Sequence, residues 1–123
     1  MESLTAKEIK NVVLPLFDGK DENFQDWWTK FKAYAGVYGF AKAIKTEPEA
    51  NLPEVEDDDL DPKDENNKPA IMAMKWNALA MASLTMAFKS NGLMSMVYKS
   101  QTNDWPSGQA YVVIRWLLKK YRP

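Results

Sequence analysis

Few side chains in this sequence have the type and spacing to do chemistry, and the densest group of them is Asp57-Asp58-Asp59-Leu60-Asp61. Carboxylates at the first, third and fifth places of that run match the opening of a calcium loop, where hard oxygen ligands encircle the ion. The pattern fails further on. Pro62 stands where the sharp turn needs glycine, and Lys68 stands where a bidentate glutamate should close the shell. The run therefore reads as a solvated acidic loop. Carboxylates that exchange protons in catalysis need burial to shift their affinity, and these lie among almost no apolar residues. Histidine and cysteine are absent altogether, which excludes Ser-His-Asp and Cys-His nucleophiles, disulfides and zinc fingers or knuckles. Gly36, Gly39, Gly92 and Gly108 are isolated, so there is no glycine-rich phosphate loop. The expectation is a non-enzymatic protein with no metal and no cofactor.

Charge is segregated along the chain. The net charge is −1, yet ten acids and only one base, Lys63, lie between Glu47 and Glu65. The remainder is basic, and an acidic, proline-containing insert interrupts it. The excess bases are spread thinly and no basic-aromatic groove motif accompanies them, so weak nucleic-acid contact is the most they imply. Val12-Val13-Leu14-Pro15-Leu16-Phe17 is too short for a secretory signal, and no apolar run approaches a membrane span. Glu2 in place of glycine excludes N-myristoylation. A cytoplasmic or nuclear protein with no membrane partner is expected.

At 123 residues there is room for one domain. Seven methionines and few β-branched residues outside Val12-Val13 and Val112-Val113-Ile114 tilt its class towards all-α. Thr5 and Glu8 form a capping-box pattern, predicting an amphipathic turn over residues 3 to 12 that Leu14-Pro15 ends. Leu16-Phe17 reads as extended and Asp18-Gly19 as a turn. Asn23 is a candidate N-cap for a helix whose apolar residues fall at Phe24, Trp27, Trp28, Phe31, Ala35 and Tyr38, with Gly39 as its stop. A short helix over 40–45 and an acidic loop over 46–68 come next. The longest helix is predicted from Ala70 to Ser90, with Pro69 at its start and Asn91-Gly92 as its stop. Its stripe runs through Ile71/Met72, Trp76, Leu79/Ala80, Leu84 and Phe88, yet Met74, Met81 and Met86 lie off that stripe. A helix apolar nearly all round is central, and Met72 and Met86 are expected in its core. A short helix from Leu93 to Tyr98, a loop over Gln101–Gln109 and a helix from Ala110 to Tyr121 complete a compact four- to five-helix orthogonal or bundle domain spanning residues 1–123.

Adjacent helix positions point about 100° apart, so Trp27 and Trp28 cannot both face one narrow seam. Core for both is one reading. A partly exposed Trp28 in contact with a partner is the other. Met94, Met96, Tyr98 and Trp105, near the loops, are the other candidates for an interaction surface.

Two stretches resemble the Gag proteins of copia-type LTR retrotransposons. The first is Leu14-Pro15-Leu16-Phe17-Asp18-Gly19 with Asn23-Phe24-Gln25-Asp26-Trp27, then Phe31 and Tyr34. It is similar to that family's opening Phe-x-Gly and Asn-Phe/Tyr-x-x-Trp pattern, with two extra residues between Gly19 and Asn23. The second runs from Trp105-Pro106-Ser107-Gly108-Gln109-Ala110 into Leu117 and Lys119-Lys120-Tyr121-Arg122-Pro123. It looks like the family's ending, except that Ile114 stands where a tryptophan usually falls and Trp116 is displaced by two.

The resemblance implies the N-terminal, retroviral-capsid-like lobe of Gag, a helical unit that self-associates into a particle shell around element RNA. It makes Phe17, Phe24, Trp27 and Leu117 core residues, Gly19 a turn, and Tyr121 part of the closing motif. It also implies a C-terminal capsid lobe beyond Pro123 as a partner in the full-length protein, with RNA held weakly or indirectly. The rival readings are a domesticated Gag module with a peptide groove beside the methionine-rich helix, and a weak nucleic-acid binder.

Overall fold

A computed structural model describes residues 12–45, 61 and 63–121. The turn expected over residues 3–12 lies outside them except for Val12, as do residues 46–60 of the acidic loop, including Asp57, Asp58 and Asp59. Among the described residues there are five α-helices and no strand. The helices are α1 (Asp21–Tyr38), α2 (Ala41–Lys45), α3 (Lys68–Ala87), α4 (Asn91–Ser100) and α5 (Ala110–Tyr121), with a 3₁₀ turn at Glu65–Asn67 leading into α3. The domain is all-α, as its composition demands.

Local chemistry sets the helix boundaries, and six of them differ from the sequence expectation, two of them only in that α2 begins at Ala41 and α4 runs on to Ser100. α1 starts at Asp21, two residues before Asn23. The reason is Asp18, whose carboxylate accepts the Lys20 N–H at 2.9 Å and the Asn23 side-chain amide at 2.8 Å. Asn23 thus braces the turn from inside the helix instead of capping it. Gly39, in the left-handed conformation, closes α1 as expected. The predicted 46–68 loop is shortened at its end, because Asp64 accepts the Asn66 N–H and caps the 3₁₀ turn. α3 ends at Ala87 rather than Ser90, because Phe88 turns extended and pairs with Phe17 in an isolated parallel bridge. Asn91-Gly92 opens α4 instead of stopping α3. Ser90 accepts the Leu93 N–H with its hydroxyl and is the N-cap.

α3 packs against α2, α4 and α5, and α5 in turn against α2 and α4. The buried side chains form one cluster, drawn from Phe17, from every helix and from the α3–α4 junction at Phe88. On α3 the inward face is Asn77, Ala80, Met81, Leu84 and Ala87. Alanines at its contacts let neighbouring helices approach closely. Asn77, 1% exposed, is the one polar residue on that face. Its amide donates to the Gly108 carbonyl at 2.8 Å, and its side-chain oxygen accepts the Ala110 N–H at 2.9 Å. Ala110 opens α5, so Asn77 satisfies one of that helix's orphan N–H groups from across the core.

Gly108 has φ +87° and sits against Ser100 and Met81, with no room for a Cβ beside the Ser100 hydroxyl. The Asn77 contact therefore needs glycine at 108, because any side chain there would push the loop carbonyl away. Replacing Asn77 by Ala should cost about 2–4 kcal/mol, since two buried backbone groups lose their partners. Urea denaturation followed by circular dichroism measures this. A loss below about 1 kcal/mol, the net worth of a single ordinary hydrogen bond, would show that the loop relaxes to water.

Candidate functional site

Both stretches that carry the family resemblance end in one aromatic nucleus. Phe17 stacks on Trp27 at 5.1 Å between ring centroids and meets Phe24 and Tyr121 edge-on at 5.7 and 5.3 Å. Tyr121 stacks on Phe24 at 5.1 Å, and Trp27 on Phe31 at 4.8 Å. Polar tips are bonded at the edge of the nucleus. The Trp27 indole donates to the Pro15 carbonyl at 3.1 Å, and the Tyr121 hydroxyl donates to the Gly19 carbonyl at 2.9 Å. Gly19 has φ +86°, and a Cβ there would lie 3.1 Å from the Ser90 hydroxyl. Phe17, Phe24, Trp27 and Leu117 are all buried. Gly19 turns the chain between the extended segment and α1. These residues position the surfaces and do no chemistry themselves.

The interaction candidates divide. Trp28 is 6% exposed and stacks on Phe24 at 6.5 Å, so both neighbouring tryptophans are core and Trp28 offers no free surface. The first turns of α1 are enclosed widely enough to take two faces at once. Trp105 is 4% exposed. Its carbonyl accepts the N–H groups of both Thr102 and Gly108, a double closure that turns its loop inward. Met94 and Met96 are half-buried against the core. Tyr98 is exposed.

Two exposed faces escaped the sequence reading. On α3, Met72, Leu79 and Met86 are 41%, 49% and 65% exposed, which places Met72 and Met86 outside the core where they were expected. The inward face of α3 is centred on Ala80 and Leu84, so residues seven apart on the far side must face out. Lys75, the only charged residue of α3 beyond its first one, marks that outer side in the sequence. On α5, Tyr111, Val112, Arg115, Trp116 and Lys119 line an open depression of about 580 Å³, with the Arg115 guanidinium over the Tyr111 ring. A second depression, about 270 Å³, lies between the extended segment and α1 beside Pro15, Trp27 and Lys30.

Among the described residues no group of three or more acidic, histidine or cysteine side chains could hold a metal ion. No helix among them is long and apolar enough to cross a membrane. Compared with known proteins, the chain matches no protein-family model, no curated protein and no solved structure.

Two outcomes are expected around the nucleus. Tyr121→Phe keeps the ring stacking and removes only the bond to Gly19, so it should lower unfolding free energy by about 1 kcal/mol. Phe17→Ala should cost about 3–5 kcal/mol. Chemical denaturation of both variants checks the ranking. The Lys20 N–H holds the Asp18 carboxyl below the usual carboxylate range, with Asn23 helping. A carboxyl lowered on folding stabilises the fold above its unfolded value and loses that contribution as pH falls through its folded value. Wild type should therefore exceed Asp18→Asn in melting temperature at neutral pH, and the margin should close as the solution is acidified below the carboxylate range.

Proposed function

We propose that this domain is a structural unit of the copia-type Gag kind, which self-associates to build a retrotransposon particle shell around element RNA. The observation that supports it best is the convergence of two stretches nearly a hundred residues apart in sequence, Phe17–Trp27 and Leu117–Tyr121, on one aromatic nucleus. That Phe17, Phe24, Trp27 and Leu117 are buried together supports this reading. The reading involves no catalysis and no cofactor. It places the chain in the cytoplasm, beside further copies of itself and a C-terminal capsid lobe, with RNA enclosed more than gripped.

Weak contacts suffice for this work. In a lattice each copy is held by several neighbours, so small pairwise affinities multiply through effective concentration. Exposed apolar faces on α3 and α5 supply surfaces of that kind. A second reading, weak nucleic-acid binding, draws support from α5, where Arg115 and Lys119 flank the partly exposed Trp116. Cations beside an aromatic ring suit phosphate and base together.

Light scattering of the purified chain over a concentration and salt series, with imaging of the same samples, tests the first reading. Growth into regular particles is the expected result, and a strict monomer under every condition would sink it. RNA titration at rising salt tests the second reading: a steep fall in affinity that Arg115→Ala flattens would favour binding through α5.

A further inference from the structure

The side of α5 away from the core carries a pattern that its packing does not use. Ala110, Val113, Ile114 and Leu117 face inward. Opposite them, two rows run along the helix at intervals of four residues. One is Tyr111, Arg115 and Lys119, and the other is Val112, Trp116 and Lys120. Each row places a cation about 6 Å beyond a ring along the axis, at 1.5 Å per residue. Arg115, Trp116, Lys119 and Lys120 are exposed, and the Arg115 guanidinium lies over the Tyr111 ring, 5.6 Å from its centroid. All but Lys120 line the open depression of about 580 Å³.

Tertiary packing adds charge of the same sign. α5 packs against α2 and α4. These three helices carry Lys42, Lys45, Lys99, Arg115, Lys119 and Lys120, all exposed, and no acidic residue. The described acids lie around the start of α1, in the turn before α3 and, singly, at Asp104 in the loop before α5. Among the described residues the ion pairs are Lys30–Asp26 and Lys68–Glu65, so none of the six cations has a carboxylate partner there. In sequence they are spread thinly between positions 42 and 120, and folding gathers them onto three touching helices.

We infer that this face of α5 binds a single strand of nucleic acid, with bases stacked on Trp116 and phosphates held by Arg115, Lys119 and Lys120. The inference rests on the nucleic-acid reading above and names the form of the strand and how it is held. Charge selects the sign of the partner, since cations gathered without acids favour a polyanion. The rings select among polyanions. An acidic peptide answers the cations alone, whereas a nucleic acid presents flat ring faces beside its phosphates. A duplex keeps those faces stacked inside, so an unpaired strand is the form that can offer them to Trp116. No Asn, Gln, Asp or Glu lines the depression, so bases are held by their faces and the sequence of the strand matters little. Arg115, already resting on Tyr111, loses less rotamer freedom on binding than a loose side chain would.

Fluorescence anisotropy with a labelled oligouridine of about twelve nucleotides, within the range that stacking sites of this kind occupy, tests the inference. Wild type should bind, and log affinity should fall against log salt with a slope of about −2, as three phosphates on a single strand require. Arg115→Ala and Lys119→Ala should each flatten that slope by about 0.7. Trp116→Ala should weaken binding at least about five-fold with the slope unchanged, and Trp116→Phe should restore most of the loss. The substituted side chains are exposed, so thermal melts of the variants should match wild type. Lys75→Ala, an exposed cation on α3, should change nothing, and a duplex of the same length should bind without regard to the residue at 116. Poly-glutamate or phosphatidylserine vesicles that bind as tightly as oligouridine, whatever stands at 116, would overturn the inference in favour of an acidic protein or a membrane. Oligouridine binding that no α5 variant weakens would remove this face and leave the nucleic-acid reading standing. No binding even at low salt would remove both.

Discussion

The extended segment before α1 is held to the chain just after α3 by two backbone hydrogen bonds. The Phe17 N–H donates to the Ala87 carbonyl and the Lys89 N–H donates to the Phe17 carbonyl, each at 2.9 Å. Much of the domain depends on this pairing. It satisfies backbone groups that would otherwise be buried without partners, and it fixes Phe17 where α1 and α5 can close over it. Trp27, Phe24 and Tyr121 then pack on one ring from three directions. The same pairing ends α3, because Phe88 cannot both continue a helix and lie beside Phe17.

A second constraint acts at the opposite end of the core. Asn77 bonds the loop before α5 and so sets where that helix begins. Together the two anchors fix α5 at both ends: Ala110 through Asn77, and Tyr121 through Phe17 and Gly19. With α5 held, α3 has a defined inward face of small and medium residues, and its larger apolar side chains at 72, 79 and 86 are left outside. A helix interior built on Ala80, Leu84 and Ala87 accommodates close neighbours.

The functional reading follows from this division between anchored core and apolar outer faces. The nucleus joins the extended segment, α1 and α5 through stacked rings and the Tyr121–Gly19 hydrogen bond. What the domain offers is shape: a rigid helical body whose long helix and last helix present apolar or cationic aromatic surface. The self-association proposed above would call on such a body to hold an angle, and on faces that bind weakly enough to correct mistakes.

The sequence by itself determined that there are helices in these five places, the stop at Gly39 and the class of the fold. The spacing of Phe24, Trp27, Phe31 and Ala35, the left-handed Gly39 and the span Ala110–Tyr121 are local properties, set by period and by backbone freedom within a few residues. Only the tertiary structure decided which side of α3 faces in. A helix whose one charge past its first residue is Lys75 has too little polar surface to define its outside, so Met72 and Met86 were legible as apolar but not as exposed. Trp28 and Trp105 are the converse, since burial of a side chain next to a turn or beside a larger neighbour depends on what the rest of the chain brings to it. Asn77 belongs to the same class. Only the approach of Gly108 and Ala110 from more than thirty residues away gives its amide the partners that make burial favourable.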